Sequence, residues 1–231
     1  QTSEYLEHLR HSLAHLLAAA ALKHFPDAKP TIGPAIENGF YYDIDFPTSI
    51  TEEDLAAIEK TMKELLKTWD TVSSREISAE EARIVFANNP YKLELIDEIV
   101  GRGEQITIYR WGEFDDLCRG GHLETAKKID PRGFTLSKIA GAYWRGDEKR
   151  QMLTRIYGLA FATKEELVAH KAMLAEAEKR DHRKLGKELE IFTFNDFVGP
   201  GLPLWLPNGT ILIEEIEKLA KTIDKEEEKI G

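Results

Sequence analysis

A change in hydrophobic period along the chain limits the folds that it can adopt. Residues 3–24 and 51–67 repeat apolar side chains at helical spacing, whereas residues 105–110 alternate apolar and polar side chains as a half-buried strand does. Helical and strand-like segments follow one another through short loops, without the regular alternation that a parallel sheet requires. This order predicts an α+β fold in which helices pack on an antiparallel sheet.

The remaining periodic segments complete the expected order of elements. Within residues 31–46, Gly33 and Pro34 suggest a turn, and the aromatic and β-branched residues after Gly39 predict a strand. Further strands are predicted over residues 71–77, 114–118, 134–139 and 151–161, and further helices over residues 78–86, 90–100 and 163–185. In the last of these helices, Thr163 and Glu166 have the spacing of a capping box, and Gly186 is expected to end it. A final amphipathic helix is expected to start near Ile211.

The length of 231 residues exceeds that of one average domain. We expect residues 1–162 to form one domain and residues 163–187 to form a linker helix. Residues 188–231 are too few to bury a core alone, so they are interpreted as the beginning of a second domain. On this interpretation the chain is a fragment of a longer protein.

Charge is distributed unevenly along the chain. The net charge is −10, which argues against a uniformly basic surface for nucleic acid. Residues 45–104 hold 14 acidic and 7 basic residues, whereas residues 119–155 hold 9 basic and 4 acidic ones. The second stretch, together with the basic residues 179–184, is a candidate surface for RNA phosphates. An ordinary solvated face is the alternative.

The single cysteine excludes an intrachain disulfide and argues against an oxidised, secreted scaffold. No apolar run approaches the roughly 20 residues of a membrane span. The chain starts at Gln1 without a basic and then apolar leader. We therefore expect a cytoplasmic protein without a membrane partner.

Two short motifs contain the candidate functional residues. His11 and His15 lie four residues apart, which places them on one face of the first helix. Cys118 and His122 have the same spacing in a glycine-rich turn. Together the four side chains could form a tetrahedral zinc shell, or they could orient water and a small substrate without metal. The alternative without function is two histidines on a polar helix face and a buried cysteine.

Five motifs in order resemble those of bacterial-type threonyl-tRNA synthetases. They are HSLAH at residues 11–15, IGP at 32–34 with NGFYYD at 38–43, DLCRGGH at 116–122, GAYWRGD at 141–147 and RDHRKLG at 180–186. The histidine and cysteine pairs are shared with alanyl-tRNA editing domains, whereas the last two motifs are typical of the threonyl branch. The resemblance covers essentially the whole chain.

The resemblance implies a role for each part of the chain. Residues 1–162 would be the editing domain, residues 163–187 its linker helix, and residues 188–231 the opening of a class II catalytic domain with a motif-1-like region. The parent enzyme would ligate threonine to tRNA(Thr), using ATP, Mg²⁺ and a catalytic zinc outside this chain. It would be a homodimer through the missing catalytic domain. The fragment alone would not form aminoacyl-adenylate.

The resemblance also implies post-transfer editing, in which Ser-tRNA(Thr) is hydrolysed to serine and free tRNA. Serine and threonine differ by one methyl group, a difference of about 1–3 kcal/mol in a binding pocket. A synthetic site that accepts threonine therefore also accepts some serine, and a second site removes the seryl ester. The expected partner is the acceptor end of tRNA(Thr).

The expected site residues follow from this reaction and from matching family positions. His11 would activate water, because imidazole titrates near neutral pH. Lys92 would position the ester or stabilise the leaving ribose oxygen. Asp116 would bind the seryl ammonium. The side chain and reacting centre of the substrate would be surrounded by His15, Cys118 and His122. Tyr42 would contact the terminal adenosine or the seryl group, and Arg119 is a further candidate for substrate binding.

Editing is expected to require no metal, although zinc could be held by His11, His15, Cys118 and His122. The family usually has proline at the position of Gly121, and glycine there is expected to loosen the turn that holds His122. Three alternatives remain: a freestanding trans-editing deacylase, a small protein with structural zinc, and an RNA-binding module without catalysis. The motif-1-like residues 204–221 argue against the first.

Overall fold

The structure is a computed structural model that describes residues 3–195, 197, 199 and 201–227. The expected domain limits at residues 1 and 231 lie outside the described residues. The chain divides into two compact units, Gln1–Val168 and Ala169–Gly231, and the division falls within a helix.

The first unit contains helices α1 to α4 and strands β1 to β8 among its described residues. The helices are α1 (Ser3–His24), α2 (Glu52–Leu65), α3 (Ala79–Val85) and α4 (Pro90–Gly101). The strands are β1 (Lys29–Pro30), β2 (Ala35–Ile36), β3 (Gly39–Asp45), β4 (Val72–Ile77), β5 (Ile106–Trp111), β6 (Phe114–Leu117), β7 (Phe134–Tyr143) and β8 (Met152–Ala160). Helix α5 (Lys164–Lys179) crosses the division between the units.

The described strands of the first unit pair antiparallel, which confirms the predicted α+β class. The larger sheet has the order β1–β3–β8–β7, and β2 pairs with the start of β3. The smaller sheet has the order β4–β5–β6. Its β5–β6 hairpin is the one that the alternating pattern predicts, and it delivers the glycine-rich turn at its end.

Helix α1 and strand β3 contribute to one buried core, which fixes how α1 lies on the larger sheet. Leu13 and Leu17 of α1 are fully buried. Strand β3 buries Phe40, Tyr42 and Ile44, which are alternate residues and therefore share one face. Each such side chain contributes about 1.5–3 kcal/mol when fully buried. A large shared core of this kind holds α1, and with it the two histidines, in a defined position.

The start of helix α4 is set by local capping. The Asn89 side chain accepts hydrogen bonds from the backbone N–H groups of Tyr91 and Lys92, and Pro90 occupies the first helical turn. Asparagine at this position satisfies N–H groups that the helix itself leaves unpaired, and proline costs no hydrogen bond there. Lys92 is thereby held in the first turn of α4.

The strand predicted after Gly39 is present as β3. The short strand β2 was not predicted, and it pairs with the start of β3 as Ala35 with Phe40 and Ile36 with Gly39. The chain therefore reverses between β2 and β3. Pro34, which lacks a backbone N–H group, precedes the reversal and cannot donate to a sheet.

The prediction of one helix over residues 163–185 is wrong, although its start is correct. Thr163 Oγ1 accepts from the backbone N–H of Glu166, and the Glu166 carboxylate accepts from the N–H of Thr163. Helix α5 ends at Lys179, and α6 (His182–Glu188) begins separately. The Asp181 carboxylate accepts from the backbone N–H of Arg183 at 2.8 Å. Aspartate competes for backbone N–H groups in this way, which favours a new helix start over continuation.

The second unit contains α6, β9 (Phe192–Phe194), β10 (Pro203–Trp205) and α7 (Pro207–Glu227) among its described residues. Gly186 was expected to end the helix but lies inside α6. Its place is explained by packing, since a Cβ there would overlap the Phe192 ring. The last helix begins at Pro207, ahead of the expected Ile211, since proline suits the first helical turn. No helix in the described ranges is long and apolar enough to cross a bilayer.

Candidate functional site

The His11–His15 pair and the Cys118–His122 pair meet where α1 packs against the turn that follows β6. His11 and His15 lie one helical turn apart on α1. The turn is tied to the helix by a hydrogen bond from the backbone N–H of Leu123 to Ser12 Oγ, 3.0 Å long and buried. Ser12 lies between the two histidines in sequence, so this bond holds Cys118 and His122 against them.

The four side chains form a compact cluster. Cys118 Sγ lies 3.1 Å from His122 Nε2 and 3.5 Å from His11 Nε2. The rings of His11 and His122 stack at a centroid distance of 4.1 Å, and the His15 ring meets the His122 ring edge-on at 4.4 Å. One ligand-type atom from each residue falls within 4.8 Å of the others. The predicted convergence of these four residues is therefore present in the structure.

The hydrogen bonds of His11 define its tautomer. His11 Nδ1 lies 3.3 Å from the backbone carbonyl of Gly121, and a carbonyl oxygen only accepts. The proton of the neutral ring is therefore placed on Nδ1, and Nε2 keeps its lone pair. That lone pair is directed toward Cys118 Sγ. His11 consequently offers an unprotonated nitrogen within the cluster.

A second group of buried polar residues adjoins the cluster. The side chains of Lys92, Asp116 and Tyr42 are at most 3% exposed. Asp116 Oδ1 accepts from Lys92 Nζ, and Asp116 Oδ2 accepts from the Tyr42 hydroxyl at 2.5 Å. Lys92 Nζ also lies 3.4 Å from the Tyr42 oxygen. A buried charge pair of this kind needs such satisfied hydrogen bonds to offset its desolvation.

Asp116 also links the two groups. Its Oδ2 lies 3.6 Å from His15 Nδ1, an atom that is buried without a hydrogen-bond partner in the described part of the chain. A carboxylate has about four acceptor sites, so Asp116 can take a further donor after Lys92 and Tyr42. The carboxylate is thus already engaged, with capacity left for one more polar group.

One cavity of about 470 Å³ connects these groups with the surface. Seven of the eight predicted site residues line it: His11, His15, Tyr42, Lys92, Asp116, Cys118 and Arg119. His122 contacts Cys118 and stacks on His11 instead. Arg119 is the most exposed of the eight, at 73%, and pairs with Glu104. The cavity is large enough for an amino acid with part of a nucleoside.

Burial keeps the cluster uncharged near neutral pH. Burial lowers the pKa of His122 to about 2 and lowers the pKa of His11 and of His15 below the ordinary value of 6.5. Burial also raises the pKa of the Cys118 thiol to about 11. The histidines are therefore neutral bases, and the cysteine is a thiol that donates a proton rather than a thiolate.

The donor set of the cluster fits zinc. Three imidazoles and one thiolate are an ordinary tetrahedral shell, in which ligand atoms lie about 3.3–3.7 Å apart. The Cys118 Sγ–His11 Nε2 distance of 3.5 Å lies within that range, and the Cys118 Sγ–His122 Nε2 distance of 3.1 Å lies slightly below it. The widest separation, 4.8 Å, would have to shrink by about 1 Å. Zinc binding would also release the thiol proton of Cys118.

Similarity to known proteins agrees with this geometry. Residues 106–157, which include the Cys118 turn, match the family described as threonyl and alanyl tRNA synthetase second additional domain. The threonine–tRNA ligase of Dehalococcoides mccartyi is 54% identical over 216 residues, which are 94% of this chain and 36% of that protein. The chain is homologous to threonine–tRNA ligases. That of Staphylococcus aureus is 50% identical over 225 residues, covering 97% of the chain and 34% of the ligase.

The chain thus spans about a third of the length of the curated ligases that it matches. The resemblance stated from the motifs is confirmed by these similarities. The match within residues 106–157 contains the hairpin that carries Asp116 and the turn of Cys118 and His122.

Several cavity-lining residues were not singled out from the sequence. They are Glu98 on α4, Arg102 and Glu104 after it, and Arg145 in the turn between β7 and β8. Arg145 falls within the GAYWRGD motif, which was a usable signal. Glu98, Arg102 and Glu104 have the charge pattern of an ordinary exposed helix surface, so nothing in the local sequence marks them as cavity residues.

Several basic side chains of residues 119–155 are paired with nearby carboxylates and are less available to an RNA phosphate. Asp130 pairs with Arg132, Glu94 pairs with Arg150, and Asp43 pairs with Arg155. Arg119 and Arg145 are the members of this stretch that line the cavity. A uniform basic face over the whole stretch is therefore not present, and RNA contact by it stays a prediction.

Gly121 shapes the turn that holds His122. Its φ is +80°, a left-handed conformation that costs other L residues about 1–2 kcal/mol. The proline that the family usually has would fix φ near −65°, so this turn is a glycine conformation and not merely a looser version of the same turn.

Replacing Gly121 with alanine is expected to lower the free energy of unfolding by about 1–2 kcal/mol, because of the positive φ alone. A Cβ there would meet no atom closer than 3.7 Å. Gly101→Ala is the matched control, since Gly101 ends α4 in open space and alanine there should be neutral or stabilising. Urea unfolding measures both, and equal stabilities of Gly121→Ala and wild type would contradict the assignment.

Stability is expected to fall in acid because His122 is held neutral. The folded pKa of about 2 lies below the ordinary 6.5, so the unfolded chain takes up a proton that the folded chain excludes. Between pH 6.5 and pH 5 this group alone should remove about 2 kcal/mol of stability, a loss that His122→Gln should not show. Urea unfolding of both proteins at several pH values measures the difference, and parallel pH profiles would contradict it.

Proposed function

We propose that the cavity of the first unit hydrolyses the seryl ester of tRNA(Thr). The observation that carries this proposal is the meeting, in one open cavity, of the neutral His11–His15–Cys118–His122 cluster and the buried Lys92 pair. Ester hydrolysis needs a base for water, a cation near the oxygens that gain charge, and a pocket for the acyl group. The cavity offers all three.

His11 is the proposed general base. Its Nε2 carries the free lone pair, and burial lowers its pKa, so the ring is neutral and ready to accept a proton. Water attacks the ester carbonyl carbon and passes a proton to Nε2. The bond from the carbonyl carbon to the ribose oxygen breaks, and that oxygen takes up the proton that Nε2 received as the tRNA leaves. The products are serine and tRNA with a free terminal hydroxyl group.

Cys118 is proposed to orient and not to attack. A thiol with a pKa of about 11 contains almost no thiolate at neutral pH, and the thiolate is the nucleophile. Its S–H is positioned to donate to His11 Nε2 or His122 Nε2 until a substrate enters. A covalent acyl-cysteine is therefore not part of the proposed reaction.

Lys92 and Asp116 are proposed to handle the two charged features of the substrate. Asp116 has acceptor capacity beyond Lys92 and Tyr42, so it can receive the seryl ammonium. A second cation on this carboxylate would loosen its hold on Lys92. The Lys92 ammonium would then be available to stabilise negative charge on the leaving ribose oxygen. Tyr42 and His15 would complete the contacts to the seryl group and the terminal adenosine, and Arg119, the most exposed of these residues, would contact the substrate beyond the adenosine.

Discrimination is proposed to rest on the size of the acyl pocket. The imidazole rings pack against one another and against Tyr42, so the pocket around the acyl group is rigid. A site of this kind removes the smaller seryl ester and excludes the threonyl ester, whose extra methyl group has no room.

Metal is proposed to be unnecessary for this reaction. Were zinc held by the four cluster residues, it would supply Lewis-acid polarisation of the ester carbonyl. A purely structural zinc would instead make folding depend on metal. We expect protein prepared without chelator to contain far less than one equivalent of zinc and to resist unfolding by chelator. Metal analysis with calorimetry in a chelator tests this, and stoichiometric zinc would contradict it.

The whole protein to which this chain is similar is proposed to ligate threonine to tRNA(Thr) with ATP and Mg²⁺. Residues 1–162, 163–187 and 188–231 are proposed to be its editing domain, linker and the opening of its catalytic domain. A catalytic zinc and the dimer contacts would lie beyond this chain, and the cytoplasm, where tRNA is charged, would be its location.

Hydrolysis in heavy-oxygen water tests the proposed chemistry. Ser-tRNA(Thr) is incubated with the protein, and the released serine and tRNA are analysed by mass spectrometry. Attack of water on the carbonyl carbon places the heavy oxygen in the serine carboxylate and none in the tRNA. Release no faster than in buffer, or label in the tRNA, would overturn the proposal.

A further inference from the structure

A chain of five charged side chains borders the cavity at its surface. We name it the arginine–glutamate rim, and its members are Glu98, Arg102, Glu104, Arg119 and Arg145, each of which lines the cavity. Arg119 Nη2 donates to Glu104 Oε2 at 2.5 Å, and Arg102 Nε donates to Glu104 Oε1 at 2.8 Å. Arg102 Nη1 lies 3.9 Å from Glu98 Oε2, and Arg145 Nη2 donates to Glu98 Oε1.

The rim joins parts of the first unit that are distant in sequence. Glu98 belongs to the last turn of α4, and Arg102 and Glu104 follow that helix. Arg119 follows β6, and Arg145 lies between β7 and β8. Three cations alternate with two anions, so the rim carries an excess of one positive charge. Pairs as exposed as these contribute little to stability, so stability does not explain why they converge on one opening.

Arg145 is held in an unusual conformation. Its φ is +60°, a left-handed region that favours glycine, and the residue after it is Gly146. The guanidinium lies 4.9 Å from the centroid of the Trp144 ring, and Trp144 is itself buried and donates its Nε1–H to Glu94. Backbone strain that the surroundings enforce at a cavity is typical of functional positions. Arg145 thus lines the cavity with its guanidinium packed beside a buried ring, which restricts the positions that the side chain can take.

We propose that the arginine–glutamate rim binds the phosphodiester groups of the RNA strand whose aminoacylated end occupies the cavity. This inference rests on the proposed function. If the seryl ester lies at His11, the RNA strand attached to it must leave the cavity through its opening. The exposed part of the cavity lining includes the guanidinium groups of Arg119 and Arg145. Guanidinium forks match phosphate as well as carboxylate, so each arginine exchanges its glutamate for a phosphate.

The two glutamates have a defined part in this exchange. In the free protein they hold the arginines extended across the opening, which limits the side-chain entropy lost when RNA binds. They also compete with phosphate, so the contact stays reversible and an edited tRNA can leave. The rim therefore acts on binding of the RNA strand and does not touch the ester itself.

The test compares two substrates that differ in phosphate. One is Ser-tRNA(Thr), and the other is the seryl ester of adenosine, which has no phosphate. The variants are Arg119→Ala with Arg145→Ala together, and the control Arg132→Ala. The control removes an arginine that is about as exposed as Arg119, at 68% against 73%, and that is paired with Asp130 in the turn before β7. The double variant should lower kcat/KM for Ser-tRNA(Thr) by about tenfold or more and change the adenosine ester by less than about twofold.

Salt adds a second readout. The slope of log kcat/KM for Ser-tRNA(Thr) against log salt should become shallower by roughly one to two in the double variant, because about that many phosphate contacts are lost. Equal losses on both substrates, or no loss on either, would overturn the proposal. Arg132→Ala should behave as wild type, and a loss there equal to that of the double variant would overturn it as well.

Failure of the proposed function is distinguishable from failure of the rim. If the wild type hydrolyses neither ester, the proposed function is wrong, and binding of a fluorescent hairpin with the acceptor-stem sequence of tRNA(Thr) decides about the rim. Weaker binding by the double variant, with unchanged binding by Arg132→Ala, supports the rim as a phosphate site. Equal binding by all three proteins overturns it.

Discussion

Replacing Lys92 with methionine will lower the free energy of unfolding by about 3–5 kcal/mol and abolish editing. Methionine keeps most of the stem of lysine and removes its charge, which leaves the Asp116 carboxylate buried with the Tyr42 hydroxyl as its remaining donor. Removing one partner of a buried pair costs far more than the pair itself contributes, because the other charge stays uncompensated. Urea unfolding and deacylation of Ser-tRNA(Thr) measure the two effects.

Two further variants separate burial from charge. Lys23→Met removes the same charge from an exposed pair, Lys23 with Glu113 at 3.2 Å, and should cost less than about 1 kcal/mol. Lys92→Met combined with Asp116→Asn removes both charges and should recover most of the lost stability without recovering editing. A single Lys92→Met variant as stable as Lys23→Met would contradict the account of this pair.

Replacing His11 with alanine will lower the deacylation rate by about 10²- to 10⁴-fold with little effect on stability. The imidazole is lost as the proton acceptor, whereas α1 keeps its buried leucines and alanines. Cys118→Ser should cost less than about tenfold, because a protonated thiol only orients its neighbours. Single-turnover deacylation with saturating protein measures the chemical step in each variant.

The histidine at the other end of the same helix provides the control. His24 bonds to Thr61 Oγ1 at 2.8 Å, and His24→Ala should leave deacylation unchanged. A loss in Cys118→Ser as large as that in His11→Ala would point to a cysteine nucleophile. A His11→Ala variant within about tenfold of wild type would remove His11 as the base.

Local sequence patterns predicted those parts of the fold that local forces determine. Helix α1 was predicted over the range that it occupies, because its apolar period and lack of breakers suffice. The helices predicted over residues 51–67 and 78–86 are present as α2 and α3, and the start of each is capped by side chains three residues apart. The prediction of one helix over residues 163–185 is wrong near Asp181, whose carboxylate caps a new helix. The apolar side chains in this stretch do not repeat regularly enough to favour one continuous helix instead.

The candidate site could be predicted only in part for the same reason. The spacing of His11 and His15 on a helix is a local property, and so is that of Cys118 and His122 in their turn. The contact between Cys118 and His11 joins residues far apart in the chain. Their residue types made a shared site one of two possibilities, and the family resemblance favoured it. Lys92 has the pattern of an exposed helix lysine, and its burial depends on Asp116 of β6, which no local period encodes.

The decisive measurement is the rate of deacylation of Ser-tRNA(Thr) beside Thr-tRNA(Thr) by the chain itself. Double-sieve editing predicts that the seryl ester is lost at least about tenfold faster than the threonyl ester, and that His11→Ala abolishes the difference. Loss of both esters at the same background rate would contradict the central claim that this cavity is an editing site.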